Sequence, residues 1–276
     1  MMRLVFPLRA ARRGITACAL IASAACGDDI TNISSEIPTF TPDPIVTHAQ
    51  LQTALTTALS SPNGGLDFPM WATVVDRAGV VVAVAHSGTG VGDPWLGSRA
   101  IAAQKANTAN DFSLDGFALS TANLFSAVQP GGSLYGLQHS NPVNTDVVYG
   151  GDYTQYGTVN DFMVGKKPGG VNVFGGGLAL YDATGLVIGA VGLSGDTSCA
   201  DHNIAWRVRD ALNLDKVPAG VAPAVGANPV GKDNIIFDIN PATGASASGF
   251  GHPTCLGAVA DSTRGTNLPT DYPLTP

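Results

Sequence analysis

Apolar positions recur at helical spacing in some stretches of the chain and at strand spacing in others. Leu51, Leu55 and Leu59 stand four apart, and Thr47 with Gln50 makes a capping-box pair. The spacing predicts an amphipathic helix over 47–60, stopped by Pro62-Asn63-Gly64-Gly65. Residues 70–76 and 80–87 are β-rich runs around Arg77-Ala78-Gly79, the pattern of a hairpin with glycine in its turn. The second run is apolar on both faces, which predicts a central strand. Residues 98–112 and 115–128 read as helices, the first carrying Ile101, Ala102, Lys105, Ala109 and Phe112. A second hairpin spans 177–181 and 186–193 across Asp182-Ala183-Thr184-Gly185. A helix over 198–212 follows, with Ile204, Val208, Ala211 and Leu212 on one side.

Between these blocks, residues 129–172 carry mainly turn signals: Pro130-Gly131-Gly132, Asn141-Pro142, Gly150-Gly151 and Lys167-Pro168-Gly169-Gly170. Short strands are expected only around Val147-Val148-Tyr149. So long a connection in a compact domain is more often a functional cover than idle chain. Beyond Asn213 the chain is rich in Pro, Gly and Ala, with one candidate strand at 234–239. Hairpin-linked strands mixed with helices predict an α+β fold, an antiparallel sheet covered by helices.

The N-terminus follows a different pattern. Arg3, Arg9, Arg12 and Arg13 precede an apolar stretch from Ile15 to Ala25, which ends in Ser23-Ala24-Ala25-Cys26-Gly27. These are the parts of a secretory signal, and the stretch is short of the ~20 apolar residues that span a bilayer. Residues 1–26 are similar to a bacterial lipoprotein signal with Cys26 lipidated. Ser23 stands where such signals usually have leucine, so plain cleavage near Ala24 is the alternative, and Arg12-Arg13 offers a twin-arginine route. Polar residues 27–44 read as a tether. The expected location is outside the cytoplasm, at the cell envelope or in the periplasm.

Composition narrows the chemistry. With Lys+Arg only 14 and a net charge of −7, the chain has no basic footprint for nucleic acid. Glu36 is the only glutamate and lies in the tether, so carboxylate chemistry in the folded part falls to aspartate.

Three blocks resemble the GlcG/HbpS-like haem-binding (haem-degrading) family. They are the segment 72–84, ATVVDRAGVVVAV; the segment 98–109, SRAIAAQKANTA; and the segment 174–182, FGGGLALYD, which continues into GAVGLSG at 189–195. Their order and spacing match over 45–215, with 129–172 as an insertion and 216–276 as a loop-rich extension. The resemblance implies about five antiparallel strands flanked by helices, in profilin- or PAS-like layering, and a homo-oligomer. It also implies haem or another small molecule as ligand, with haem degradation, turnover of a small metabolite, or a sensory or structural role in an envelope complex as alternatives. Iron binding through paired glutamates, known in some members, does not transfer to a domain without glutamate.

Haem needs an apolar slot, a partner for its propionates and usually an axial ligand. His86 at a strand end, His139 in the long loop beside Tyr135 and Gln138, and His202 on the last helix are the candidate ligands. His48 reads as solvated. Arg99 and Lys105 are candidates for the propionates, against the alternative of an exposed polar helix face. Ser194, Gly195 and Asp196 join a strand to a helix where backbone amides gather; Asp196 or Ser198 is the expected N-cap. Cys199-Ala200-Asp201-His202 is mirrored by His252-Pro253-Thr254-Cys255, which suits either a tetrahedral zinc site or a Cys199–Cys255 disulfide. An oxidising compartment favours the disulfide.

Overall fold

The computed structural model describes residues 36–223, 231–256 and 259–276. The signal, Cys26 and the first half of the tether lie outside the described residues. Residues 37–276 form one compact unit, which includes both the insertion and the C-terminal extension.

Both predicted hairpins form. β1 (Trp71–Asp76) pairs with β2 (Val81–His86), and β3 (Gly177–Tyr181) with β4 (Val187–Ser194). They join through an antiparallel β1–β4 ladder, so Trp71 stands between His86 of β2 on one side and Ser194 of β4 on the other. The sheet order is β2-β1-β4-β3, so the described residues hold four strands rather than about five. The candidate strand at 234–239 does not form. Its Ile235 N–H donates to the His202 ring and its Ile236 carbonyl accepts from His252, leaving only an isolated bridge between Ile239 and Ser246.

β2 is an edge strand, not the central one its apolar run predicts. The insertion supplies the cover: Val81 N–H donates to Lys166 O, and Gly165 N–H donates to Val81 O. Irregular backbone thus pairs the edge and buries its outer face, which protects it from other chains.

α1 (His48–Leu59) begins at Thr47 with the full capping box to Gln50. Together with α5 (Ser198–Ala211) it covers one face of the sheet, where Leu51, Leu55, Ile204 and Val208 meet Val74, Leu180 and Val191. α2 (Gly97–Asp111) covers the other face with Ala102, Ala103 and Ala106, and Val147, Val148 and Met163 of the insertion extend that core. The small residues let backbone meet backbone. A Cβ on Gly192 would run into the Ala102 carbonyl and the Ala106 amide. Gly192→Val is therefore expected to destabilise the fold by about 1–3 kcal/mol through overpacking. A lower urea midpoint at unchanged slope would read this directly.

The predicted helix at 115–128 is replaced by two 3₁₀ turns, Thr121–Leu124 and Ser126–Val128. Leu114 and Phe117 close a tight turn, and Ala118 N–H donates to Ala219 O, so the backbone there is already paired elsewhere. The insertion contains two four-residue helices, α3 (Leu137–Ser140) and α4 (Thr145–Val148), and a 3₁₀ turn, Tyr153–Gln155. Past Asn213 the chain also holds a helix that the sequence pattern did not predict, α6 (Val259–Asp271), which packs on α5.

Among the described residues, buried ion pairs join these parts. Arg99–Asp161 (2.5 Å) ties α2 to the insertion, Lys105–Asp201 (2.6 Å) ties α2 to α5, and Arg209–Asp233 (2.6 Å) ties α5 to the C-terminal extension.

Candidate functional site

The start of β1 and the end of β2 make one open rim. His86 is half-buried there, its ring centroid 5.0 Å from that of fully buried Trp71. The Trp71 indole N–H donates to Trp95 O at 3.1 Å, and Trp95 meets Phe68 edge-on at 5.2 Å. Phe68, Trp95, Leu96 and Tyr153 are all large apolar side chains left exposed, Trp95 by 57%. Exposed apolar residues gathered in this way mark a binding surface more often than scattered ones do.

His86 is the polar group of the rim. Its Nδ1 lies 3.0 Å from Ser87 O, so Nδ1–H donates and the lone pair resides on Nε2. No described residue bonds that nitrogen. One wall is the insertion: a Cβ on Gly157 would strike the His86 ring, and His48, which is not simply solvated, bonds Gly157 O through Nε2 at 2.8 Å.

Arg99 and Lys105 are neither an exposed polar face nor groups free for propionates. Arg99 grips Asp161 through Nε (3.1 Å) and Nη2 (2.5 Å), donates to Val148 O through Nη1, and stacks 3.7 Å over Tyr156. Asp161 also accepts from Gly157 N–H (2.7 Å) and Met163 N–H (2.8 Å), so the pair shapes the turn that reaches His86. Lys105 donates to Asp201 at 2.6 Å and to Leu193 O at 3.0 Å. Burial holds its ammonium below the ordinary value and pushes Asp201 up to about 6, with their mutual attraction opposing both shifts.

His202 is buried on α5 beneath the C-terminal extension, where its Nε2 accepts from Ile235 N–H at 3.1 Å. His139 is exposed on α3 and shares no contact with the other candidates. The Ser194–Gly195–Asp196 turn is engaged internally. The Asp196 carboxylate takes the N–H groups of Leu66 (2.9 Å), Phe68 (3.1 Å) and Thr197 (2.5 Å), fastening the loop that carries Phe68 to the rim. Thr197, rather than Asp196 or Ser198, caps α5. Cys199 and Cys255 are joined by a disulfide with Cα atoms 5.9 Å apart.

The sequence candidates thus do not converge. His86 stands at the rim, Arg99 behind it, Lys105 and His202 under the extension, and His139 apart. Phe68, Trp71, Trp95 and Gly157, which build the rim around His86, lie in loops or at a strand end where no hydrophobic period draws the eye to them.

The family described as haem degrading protein HbpS-like matches residues 46–209 of this chain. The chain belongs to the HbpS-like family. The match takes in the four strands, α1, α2, the insertion and most of α5, and stops short of the C-terminal extension. No protein with a curated description matches the chain. Among solved structures, it is similar to Klebsiella pneumoniae protein ORFY, at 24% identity and a TM-score of 0.43, over 63% of this chain and 93% of that one. The PduOC:haem complex shares 26% identity at a TM-score of 0.43, over 61% and 94%. A double mutant of Streptomyces reticuli HbpS shares 13% at 0.37, over 72% and 96%. In the HbpS-like domain of this chain, β1, β2 and the insertion together make the His86 rim.

Proposed function

We propose that this HbpS-like chain is an exported haem- or tetrapyrrole-binding protein whose iron ligand is His86. The observation that carries the reading is the lone pair on His86 Nε2, unbonded beside an apolar rim and fixed there by the Nδ1–Ser87 hydrogen bond. A histidine whose second nitrogen is tied to a carbonyl is the usual form of a metal-binding imidazole. Trp95, Phe68 and Leu96 supply the exposed apolar and aromatic surface that a flat macrocycle needs, with buried Trp71 packed behind His86. Bound haem would supply iron redox chemistry. The chain's own share is ligation by His86 and exclusion of water by the rim and the Gly157 wall. Arg99 and Lys105, closed in ion pairs, do not serve the propionates.

Haem breakdown is the second reading, favoured by the description of the family. The polar residues such an enzyme would use, Lys105, Asp196 and His202, are engaged elsewhere: Lys105 and His202 are buried, and the Asp196 carboxylate is taken up by the N–H groups of Leu66, Phe68 and Thr197. Export rests on the N-terminal pattern, with Cys26 as the lipid anchor, and the mass of the mature N-terminus tests it. A homo-oligomer is part of the same proposal, and light scattering of the purified chain tests that.

Haem titrated into the purified chain is expected to give a shifted Soret band at one haem per chain. His86→Ala should lower the affinity by at least about tenfold, the scale of losing one ligating group or its support, while His139→Ala leaves it unchanged. An unaltered titration in His86→Ala would remove the reading. Haem turnover with a supplied reductant separates binder from enzyme.

A further inference from the structure

Cys199, His252 and Cys255 meet where the N-terminus of α5 touches the C-terminal extension, outside the rim; Cys199 falls within the span matched by the family, His252 and Cys255 beyond it. Their ligand atoms all lie within 4.8 Å of one another. The disulfide accounts for the two cysteines. It does not account for a buried imidazole beside them.

His252 is buried and oriented by backbone on both sides. Its Nδ1 is 2.7 Å from Pro253 O, so Nδ1–H donates, and Nε2 carries the lone pair. Among the described residues, the only donor to Nε2 is Gly175 N–H at 3.4 Å, the far end of hydrogen-bonding range. Around the sulfurs, Cys199 N–H points to Cys255 Sγ at 3.1 Å and Ser198 Oγ lies 3.4 Å from it, both from the first turn of α5. Donors at a helix N-terminus are the setting that favours sulfur carrying negative charge. Cys199 is buried and Cys255 half-exposed, so the cluster has a side open to an incoming ion.

We propose that reduction turns this disulfide into a binding site for a thiophilic d¹⁰ cation of the Zn²⁺ class. Its ligands are the Cys199 and Cys255 thiolates and the His252 imidazole. A dithiol reductant delivers two electrons and two protons to the S–S bond, giving two thiols, and is itself oxidised to a disulfide. Zn²⁺ then replaces the two thiol protons, which pass to solvent. Two sulfurs and one nitrogen leave a fourth tetrahedral position for water, the ligand count of an open zinc site. The metal and the disulfide are alternative staples, each holding the C-terminal extension on α5.

The test uses the full chain, reduced with a dithiol and desalted without oxygen, and Zn²⁺ titrated against a chromophoric chelator. One Zn²⁺ per chain is expected in the reduced protein and none in the oxidised protein. Zinc should shield both thiols from alkylation and restore the thermal midpoint that reduction lowers. Cys255→Ser should abolish this binding, and His252→Gln should weaken it by at least about tenfold. Failure of the reduced wild type to take up zinc overturns the proposal, as does full affinity in His252→Gln. If that variant does not fold, X-ray absorption of the zinc-loaded wild type decides. Two sulfurs and one nitrogen support the site; a shell without both sulfurs and the nitrogen overturns it.

Discussion

Arg99→Ala is expected to destabilise the protein by about 3–5 kcal/mol, because it leaves the Asp161 carboxylate buried without its counter-charge. Both side chains are almost fully enclosed. The two-point contact, the Val148 carbonyl and the Tyr156 ring together fill the coordination of the guanidinium. Removing it also frees the turn that Asp161 organises through Gly157 and Met163. The effect should therefore be regional as well as global. Urea denaturation gives the total, and hydrogen exchange should rise first at residues 145–165. Arg99→Lys keeps the charge but loses the planar fork and the ring stack, so it should recover only part of the loss. Arg99→Met with Asp161→Asn removes both charges and keeps a carbonyl oxygen for the Gly157 and Met163 N–H groups, so it should be milder than Arg99→Ala. A loss below about 1 kcal/mol in Arg99→Ala, the size of an exposed pair, would mean that solvent reaches the pair and that it does not hold the insertion. Because Gly157 is the wall over His86, the same variant should admit haem faster if the rim is its site.

The expected and observed elements differ where partners come from far along the chain. The two hairpins and three of the helices are legible because their periods and caps are local: Thr47 with Gln50, Gly79 and Gly185 in their turns, Leu51 to Leu59. β2 looked central because an apolar run records burial, not what does the burying. Here irregular backbone at Gly165 and Lys166 takes the place of a neighbouring strand. Arg99 and Lys105 looked like site residues because α2 shows that they are charged but not that Asp161 and Asp201 await them. Those partners lie 62 and 96 residues onward. α6 was hidden by Gly265 and Pro269, both poor in helix interiors. Gly265 is there because a side chain would strike Ile235 and Phe237. His86 was identifiable as a strand end near a glycine turn, but its aromatic surroundings come from Phe68, Trp95 and the insertion. Tertiary packing, not periodicity, assembles that rim.

Acid should unfold this protein in part through His202. Burial, the largest influence, lowers its pKa from the ordinary 6.5 to about 3. Asp233 and the bond to Asn234 favour the charged ring, while Arg209 and His252 oppose it. The geometry agrees at the other nitrogen: Nε2 lies 3.1 Å from both the Ile235 N–H and Asn234 Oδ1, whereas buried Nδ1 has no partner among the described residues, so the doubly protonated ring would leave one N–H unsatisfied. In the unfolded chain the imidazole takes up its proton as pH falls through 6.5; in the folded chain it does so only near 3. The unfolded state therefore binds more protons throughout that interval. Stability falls as pH drops, by up to ~1.4 kcal/mol per unit and by a few kcal/mol in all. Asp201 works the other way. Its raised value, about 6, means that the folded state takes a proton first and gains stability as pH falls from 6 to the ordinary carboxylate range. A pH–stability curve of the wild type alone mixes the two, so the informative quantity is the difference from His202→Gln. That variant should be the less stable at pH 7.5, having lost a well-placed acceptor, and should gain on the wild type steadily as pH falls below 6.5. Curves that stay parallel from pH 7 to pH 4 would show that the buried ring finds a proton partner in the folded state. His202 would then not be the group that makes acid unfavourable to the docked C-terminal extension.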